Sequence, residues 1–131
     1  MSDGDLRKVF REHLRDFDWA TIETGAVANG VPDMNYAAAG DIEGWIENKK
    51  ADHWRVSVRP MQVGWCERRL RFNRRVFCAV RRARGELWFF HGSKMRELTT
   101  MRLDEVECLG HWGGGGPAKW GWEQIAGWLR G

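Results

Sequence analysis

Gly30-Val31-Pro32-Asp33, then thirteen residues, then Glu47-Asn48-Lys49: the reading of this stretch decides how the rest of the chain is understood. Gly40-Asp41 inside it reads as a turn. Residues 31–38 before it predict a strand entered through Pro32 at its edge. Residues 42–49 after it predict another, with Trp45 and Ile46 beside the charged Glu47 and Lys49. Side chains alternate along a strand, so Glu47 and Lys49 are expected on one face.

Working outward, residues 5–16 predict a first helix, because Leu6, Val9, Phe10, Leu14 and Phe17 recur at helical spacing and its acidic start suits the helix dipole. Residues 19–24 read as a short strand and residues 25–30 as a small-residue turn. Pro60 suits the first turn of a helix that runs to about Phe72, carrying Met61, Val63, Trp65, Cys66 and Leu70. Residues 75–81 and 86–91 are apolar strands joined by a turn at Arg84-Gly85, a hairpin pattern. Residues 113–116 are four glycines followed by Pro117. No lysine-serine/threonine pair follows them, so they predict a connector rather than a phosphate loop. Residues 119–129 predict a closing helix with Trp120, Ile125, Trp128 and Leu129 on its apolar side. The order of elements predicts an α/β fold, a central mixed sheet flanked by helices. A chain of 131 residues fits one domain, with a core over about 5–92 and a C-terminal tail and helix over about 93–131.

Apolar residues make up 43% of the chain and charged residues 30%, the balance of a globular protein. No apolar run reaches the roughly 20 residues that a bilayer span needs. The polar, acidic start Met1-Ser2-Asp3-Gly4-Asp5 lacks a secretion signal's pattern. An intracellular, cytoplasmic protein with no membrane partner is expected. Cys66, Cys78 and Cys108 form no close pair, and His13, His53, His91 and His111 are scattered, so a zinc site is not indicated.

The net charge of +3 conceals an asymmetry. From Arg55 to Arg84 there are ten arginines against the single acid Glu67, a charge of +9, which leaves −6 for the remainder. A basic block beside an acidic remainder suits a polyanion partner and a separate metal site. Arginine also grips phosphate through two hydrogen bonds where lysine acts as a point charge. Arg68, Arg69, Arg71, Arg74 and Arg75 surround the end of the second helix and are the candidate DNA contacts, positioning a duplex without reading its bases. Of the nine tryptophans, most are expected in the core; Trp112, Trp120 and Trp122 could alternatively line a dimer interface or stack on unpaired bases.

A Glu-x-Lys pair on an exposed strand is ordinary, and so is an aspartate after proline. Together, two acids and a lysine converging near a sheet edge are what metal-assisted phosphodiester hydrolysis needs. Carboxylates suit hard Mg²⁺ or Mn²⁺. Such an ion polarises a phosphoryl oxygen and acidifies water, and Lys49 can hold that water or stabilise charge growing on the phosphate.

The strings Gly30-Val31-Pro32-Asp33 and Trp45-Ile46-Glu47-Asn48-Lys49, with Gln62 just after the next helix begins, resemble the virus-type replication-repair nuclease (VRR-NUC) group of the PD-(D/E)xK superfamily. The similarity covers roughly residues 22–80. It implies a restriction-endonuclease-like core, with Asp33 and Glu47 as metal ligands helped by the backbone carbonyl of Asn48. Lys49 would be the catalytic lysine, and Gln62 would support the site or touch DNA. Asn48 stands where the group often has an apolar residue, which leaves its carbonyl unaffected. The group usually carries one more upstream acid, for which Glu23 is the first candidate and Glu12 the second. Small stand-alone viral members resemble Holliday-junction resolvases that act as homodimers. The resemblance thus implies a Mg²⁺-dependent (or Mn²⁺-dependent) endodeoxyribonuclease of phage type, acting on branched DNA in the host cell. A nickase, flap, single-strand or restriction-type nuclease is the nearer alternative. A non-catalytic DNA-binding protein that uses the arginine block alone is the more distant one.

Overall fold

Apolar side chains alternate between two faces along the central strands, so both faces of the sheet must be covered. The computed structural model describes residues 4–22 and 30–131. Six strands form one sheet in chain order: β1 (Asp18–Thr21), β2 (Met34–Ala38), β3 (Ile42–Ala51), β4 (Val76–Arg82), β5 (Glu86–His91) and β6 (Gly110–Trp112). Neighbours pair antiparallel except β3 and β4, which run parallel. A parallel pair needs a crossover, and α2 (Pro60–Arg69) supplies it. The remaining α-helices are α1 (Gly4–His13), the single turn α3 (Met95–Leu98) and α4 (Trp122–Arg130). The architecture is therefore α/β, a mixed sheet flanked by helices.

One face collects Ile46, Phe77, Ala79, Leu87 and Phe89 beneath Leu6, Phe10 and Leu14 from the α1 segment and Ile125 and Leu129 from α4. The other collects Val76, Cys78, Val80, Trp88 and Phe90 beneath Val63, Trp65 and Cys66 of α2 and Met95 and Leu98 of α3. Burying each large side chain is worth roughly 1.5–3 kcal/mol, and these two layers hold the sheet between them. Tyr36 donates its hydroxyl to the Leu129 carbonyl at 2.6 Å, tying β2 to the end of α4. Its cross-strand partner is Gly44, where an added Cβ would stand 2.3 Å from the tyrosine oxygen.

Several boundaries differ from the sequence expectation. β2 starts at Met34 rather than residue 31; Pro32, which has no N–H to donate, lies ahead of the strand, and the Asp33 carbonyl accepts from Ile22 N–H at 2.9 Å. α2 ends at Arg69 rather than near Phe72, because the N–H groups of Arg71 and Phe72 bond three residues back and tighten into a turn. α4 begins at Trp122 rather than residue 119: Pro117–Lys119 is a 3-10 turn and Trp120 is extended, with its indole donating to the Gly85 carbonyl at 2.9 Å. The C-terminal third is more than a tail. It adds β6 to the sheet edge, α4 to the first core, and Leu103 and Val106 to the second.

Trp120 is buried, and Trp112 and Trp122 pack against the first core, so these three act as core residues. The three cysteines are free thiols, two of them buried. Among the described residues no helix is long and apolar enough to cross a membrane.

Candidate active site

The thirteen residues between Asp33 and Glu47 are a β-hairpin. β2 and β3 pair from Met34↔Ile46 to Ala38↔Ile42 around a turn at residues 39–41. Carried one step past Met34, the same register sets Asp33 opposite Glu47. Asp33 Oδ1 accepts from the backbone N–H of Asn48 at 2.9 Å, which fixes the carboxylate at the end of β2.

Glu47 and Lys49 project to the face covered by α2, as strand alternation predicts. There Gln62, in the first turn of α2, joins them. Its Nε2 donates to Glu47 Oε2 at 3.1 Å, and its Oε1 accepts from Lys49 Nζ and from the Arg59 backbone N–H, both at 2.9 Å. Lys49 Nζ is also 3.5 Å from Glu47 Oε2. Both contacts to Glu47 thus fall on the same carboxylate oxygen. Gln62 caps its own helix and orients the lysine and the glutamate together. Its side chain is itself buried.

Gly30 makes this assembly possible. Its φ is +78°, and a Cβ there would stand 2.0 Å from the backbone carbonyl oxygen of Met61 and 2.7 Å from the N of Gln62. Only glycine lets the segment leading to Asp33 pass this close to the first turn of α2. The Gly-Val-Pro-Asp string is in this sense a packing contact as well as a carrier of the acid.

The five polar residues Asp33, Glu47, Asn48, Lys49 and Gln62 are 7%, 4%, 0%, 3% and 4% exposed. Burial, first, and the neighbouring Asp33 charge, second, push the Glu47 carboxyl up to about 7 against the pull of Lys49. Burial likewise raises Asp33, opposed by the Asn48 N–H and by Arg7. Arg7 reaches from α1 to within 3.4 Å of Asp33 Oδ2. Two carboxylates held together against their own repulsion, with the carbonyl-bearing backbone of Asn48 beside them, form a hard-oxygen donor set that fits a divalent cation. Among the described residues no group of three or more His, Cys, Asp and Glu side chains is assembled for a metal, so the third protein oxygen would come from the backbone. The Asn48 carboxamide is near enough to Asp33 to favour its charge weakly, yet neither of its buried polar atoms makes a hydrogen bond of good geometry.

Not every sequence candidate converges here. Glu23 lies outside the described residues. Glu12 is exposed near the end of α1, 3.9 Å from Lys8. The arginine block divides. Arg68, Arg71 and Arg74 are all exposed to solvent. Arg69 lies 4.8 Å over the Trp65 ring and 5.4 Å over Trp45. Arg75 donates to the Arg130 carbonyl at 3.2 Å, at the end of α4. Neither Arg7 nor a cleft of about 760 Å³ at the end of β3 was among the sequence candidates. The cleft is lined in part by Lys50, His53, Trp54, Arg55 and Arg102. Its lining run from Lys50 to Arg55, dense in charged and aromatic side chains, is the sequence signal for that cleft. The Arg7 contact, 26 residues from Asp33, carries none.

No protein-family model, no curated protein and no solved structure matches the chain.

Proposed function

We propose that this protein is a divalent-metal-dependent DNA endonuclease with a restriction-endonuclease-like centre of the VRR-NUC kind. The observation that carries the reading is the meeting of Glu47, Lys49 and Gln62 in one buried hydrogen-bonded cluster, with Asp33, from a third segment, fixed beside it by the Asn48 N–H. Burying charged side chains is costly unless they are paired, and a site that leaves two carboxylates raised has a use for a cation.

Asp33, Glu47 and the Asn48 carbonyl would hold Mg²⁺ or Mn²⁺. When bound, such an ion supplies Lewis-acid polarisation of a phosphoryl oxygen and activation of water. Lys49, steered by Gln62 and Glu47, offers an ammonium N–H to charge developing on the phosphate. Arg7 balances the Asp33 charge from the α1 side. Arg68, Arg71 and Arg74 hold backbone phosphates. Branched DNA is the preferred substrate, cut by a homodimer whose two-fold axis sets two sites on opposite strands.

The test compares a synthetic four-way junction, a flap and a linear duplex, each with Mg²⁺ and with EDTA. Cleavage that needs Mg²⁺ and disappears in Asp33→Ala, while DNA binding persists, is expected. Equal cleavage by wild type and Asp33→Ala would refute the reading.

A further inference from the structure

We infer that Phe72 is a stacking wedge for an unpaired nucleobase, displayed within a collar of arginines at the far end of α2. The inference rests on the DNA-binding half of the reading above and adds the feature of DNA that this surface recognises.

Phe72 is 86% exposed, an unusual state for a large aromatic ring. It does not hang from a loose loop. Its N–H bonds to the Arg69 carbonyl at 2.9 Å, and Asn73 N–H bonds to the same oxygen at 3.0 Å. The Asn73 side chain then clamps both sides, donating to the Glu43 carbonyl at 2.8 Å and accepting from Arg75 N–H at 2.9 Å. The backbone is braced to β3 and to the entry of β4, and the ring is held out into solvent.

The surroundings identify the occupant. Arg68, Arg71 and Arg74 flank the ring in sequence, and Arg69 is fixed over Trp65 and Trp45. A hollow of about 310 Å³ lies between Trp65, Arg68, Arg69 and Phe72. Glu67, the one acid of the arginine-rich segment, is already held by Arg96 through two bonds of 2.8 Å. An apolar ring among arginines that outnumber the nearby acids, Glu67 and Glu43, suits a partner with a flat π-face and a negative backbone, which describes nucleic acid with unpaired bases. A second copy of this chain would bring the same positive patch against itself across a two-fold axis. From Gln62 to the end of α2 is about 10 Å at the helical rise per residue, so a wedged base and a phosphate at the acids lie within a few nucleotides of each other.

The experiment measures binding in EDTA by fluorescence anisotropy, so that cleavage plays no part. Labelled single strand, flap and fully paired duplex are compared for wild type, Phe72→Ala and Phe72→Trp, with thermal unfolding confirming that each variant is folded. Phe72→Ala is expected to weaken single-strand and flap binding by roughly tenfold or more and to leave duplex binding unchanged, with Phe72→Trp restoring it. Equal weakening on all the DNAs, no weakening on any, no DNA binding by the wild type, or Phe72-dependent binding to phosphatidylserine vesicles in place of DNA would each overturn the wedge. Wedge behaviour as expected, with no cleavage once Mg²⁺ is added, would overturn the nuclease reading alone.

Discussion

Replacing Glu47 with glutamine should stabilise the metal-free protein, and only above acidic pH. The carboxyl titrates near 7 in the fold against an ordinary value of 4.5. Its folded form therefore favours the proton more than the unfolded chain does. Below pH 4.5 both states are protonated and no penalty applies. As pH rises from 4.5 to 7 the unfolded chain ionises first and the fold loses stability, and above 7 the full penalty is present. That separation converts to about 3 kcal/mol, at about 1.36 kcal/mol for each pH unit. For a domain of this size it is on the order of 10 °C in Tm. The glutamine side chain of the variant keeps an oxygen for Gln62 Nε2 and Lys49 Nζ, so the contacts survive while the buried charge is removed. Thermal unfolding followed by circular dichroism in EDTA at pH 8 and pH 4.5 reads the effect. Glu47→Gln should melt well above wild type at pH 8 and close to it at pH 4.5. Mg²⁺ should raise the wild-type Tm at pH 8 and leave the variant's nearly unmoved. A variant that melts below wild type by the same margin at both pH values would refute the assignment to residue 47 of a buried charge whose cost exceeds the attraction of Lys49.

Three other variants probe separate parts of the account. Asn48→Leu removes two buried polar atoms that make no hydrogen bond of good geometry while keeping the backbone carbonyl. It should raise stability by about 1–3 kcal/mol in urea unfolding without loss of Mg²⁺-dependent cleavage. Gly30→Ala forces a Cβ into the Met61 carbonyl at positive φ; a destabilisation of at least about 1 kcal/mol is expected, with cleavage reduced because Gln62 is pushed off Lys49. Changing Arg68, Arg71 and Arg74 to Ala should weaken duplex binding and flatten the plot of log affinity against log salt, by about one in slope for each phosphate no longer gripped. An unchanged slope would remove these residues from the DNA surface.

Much of the site was legible because its geometry is written in local spacing. Thirteen residues between Asp33 and Glu47 are what two strands and a short turn occupy, and the interval from Glu47 to Lys49 is one pleat. Pro60 marked the start of the helix that brings Gln62. What stayed hidden depends on contacts far apart in the chain. β6 has three residues and exists because β5 offers it an edge; α3 is one turn held by the second core. Arg7 sits on a helix whose angle toward Asp33 no periodicity fixes. The arginine-rich segment read as one surface, yet the fold uses several of its members internally. Arg69 packs on tryptophans, Arg75 meets the end of α4, Arg81 bonds the Arg84 carbonyl, and Arg82 covers Trp54 at 3.6 Å. Charge composition reveals an excess of cations but not which of them the sheet will consume.

Anomalous diffraction from crystals soaked in Mn²⁺ tests the cation site without recourse to activity. The account predicts a peak roughly 2.1 Å from oxygens of Asp33 and Glu47 and from the Asn48 carbonyl, a distance typical of a small hard cation, with Lys49 Nζ beside it. Manganese bound at other carboxylates, with that position empty at saturating concentration, would contradict it.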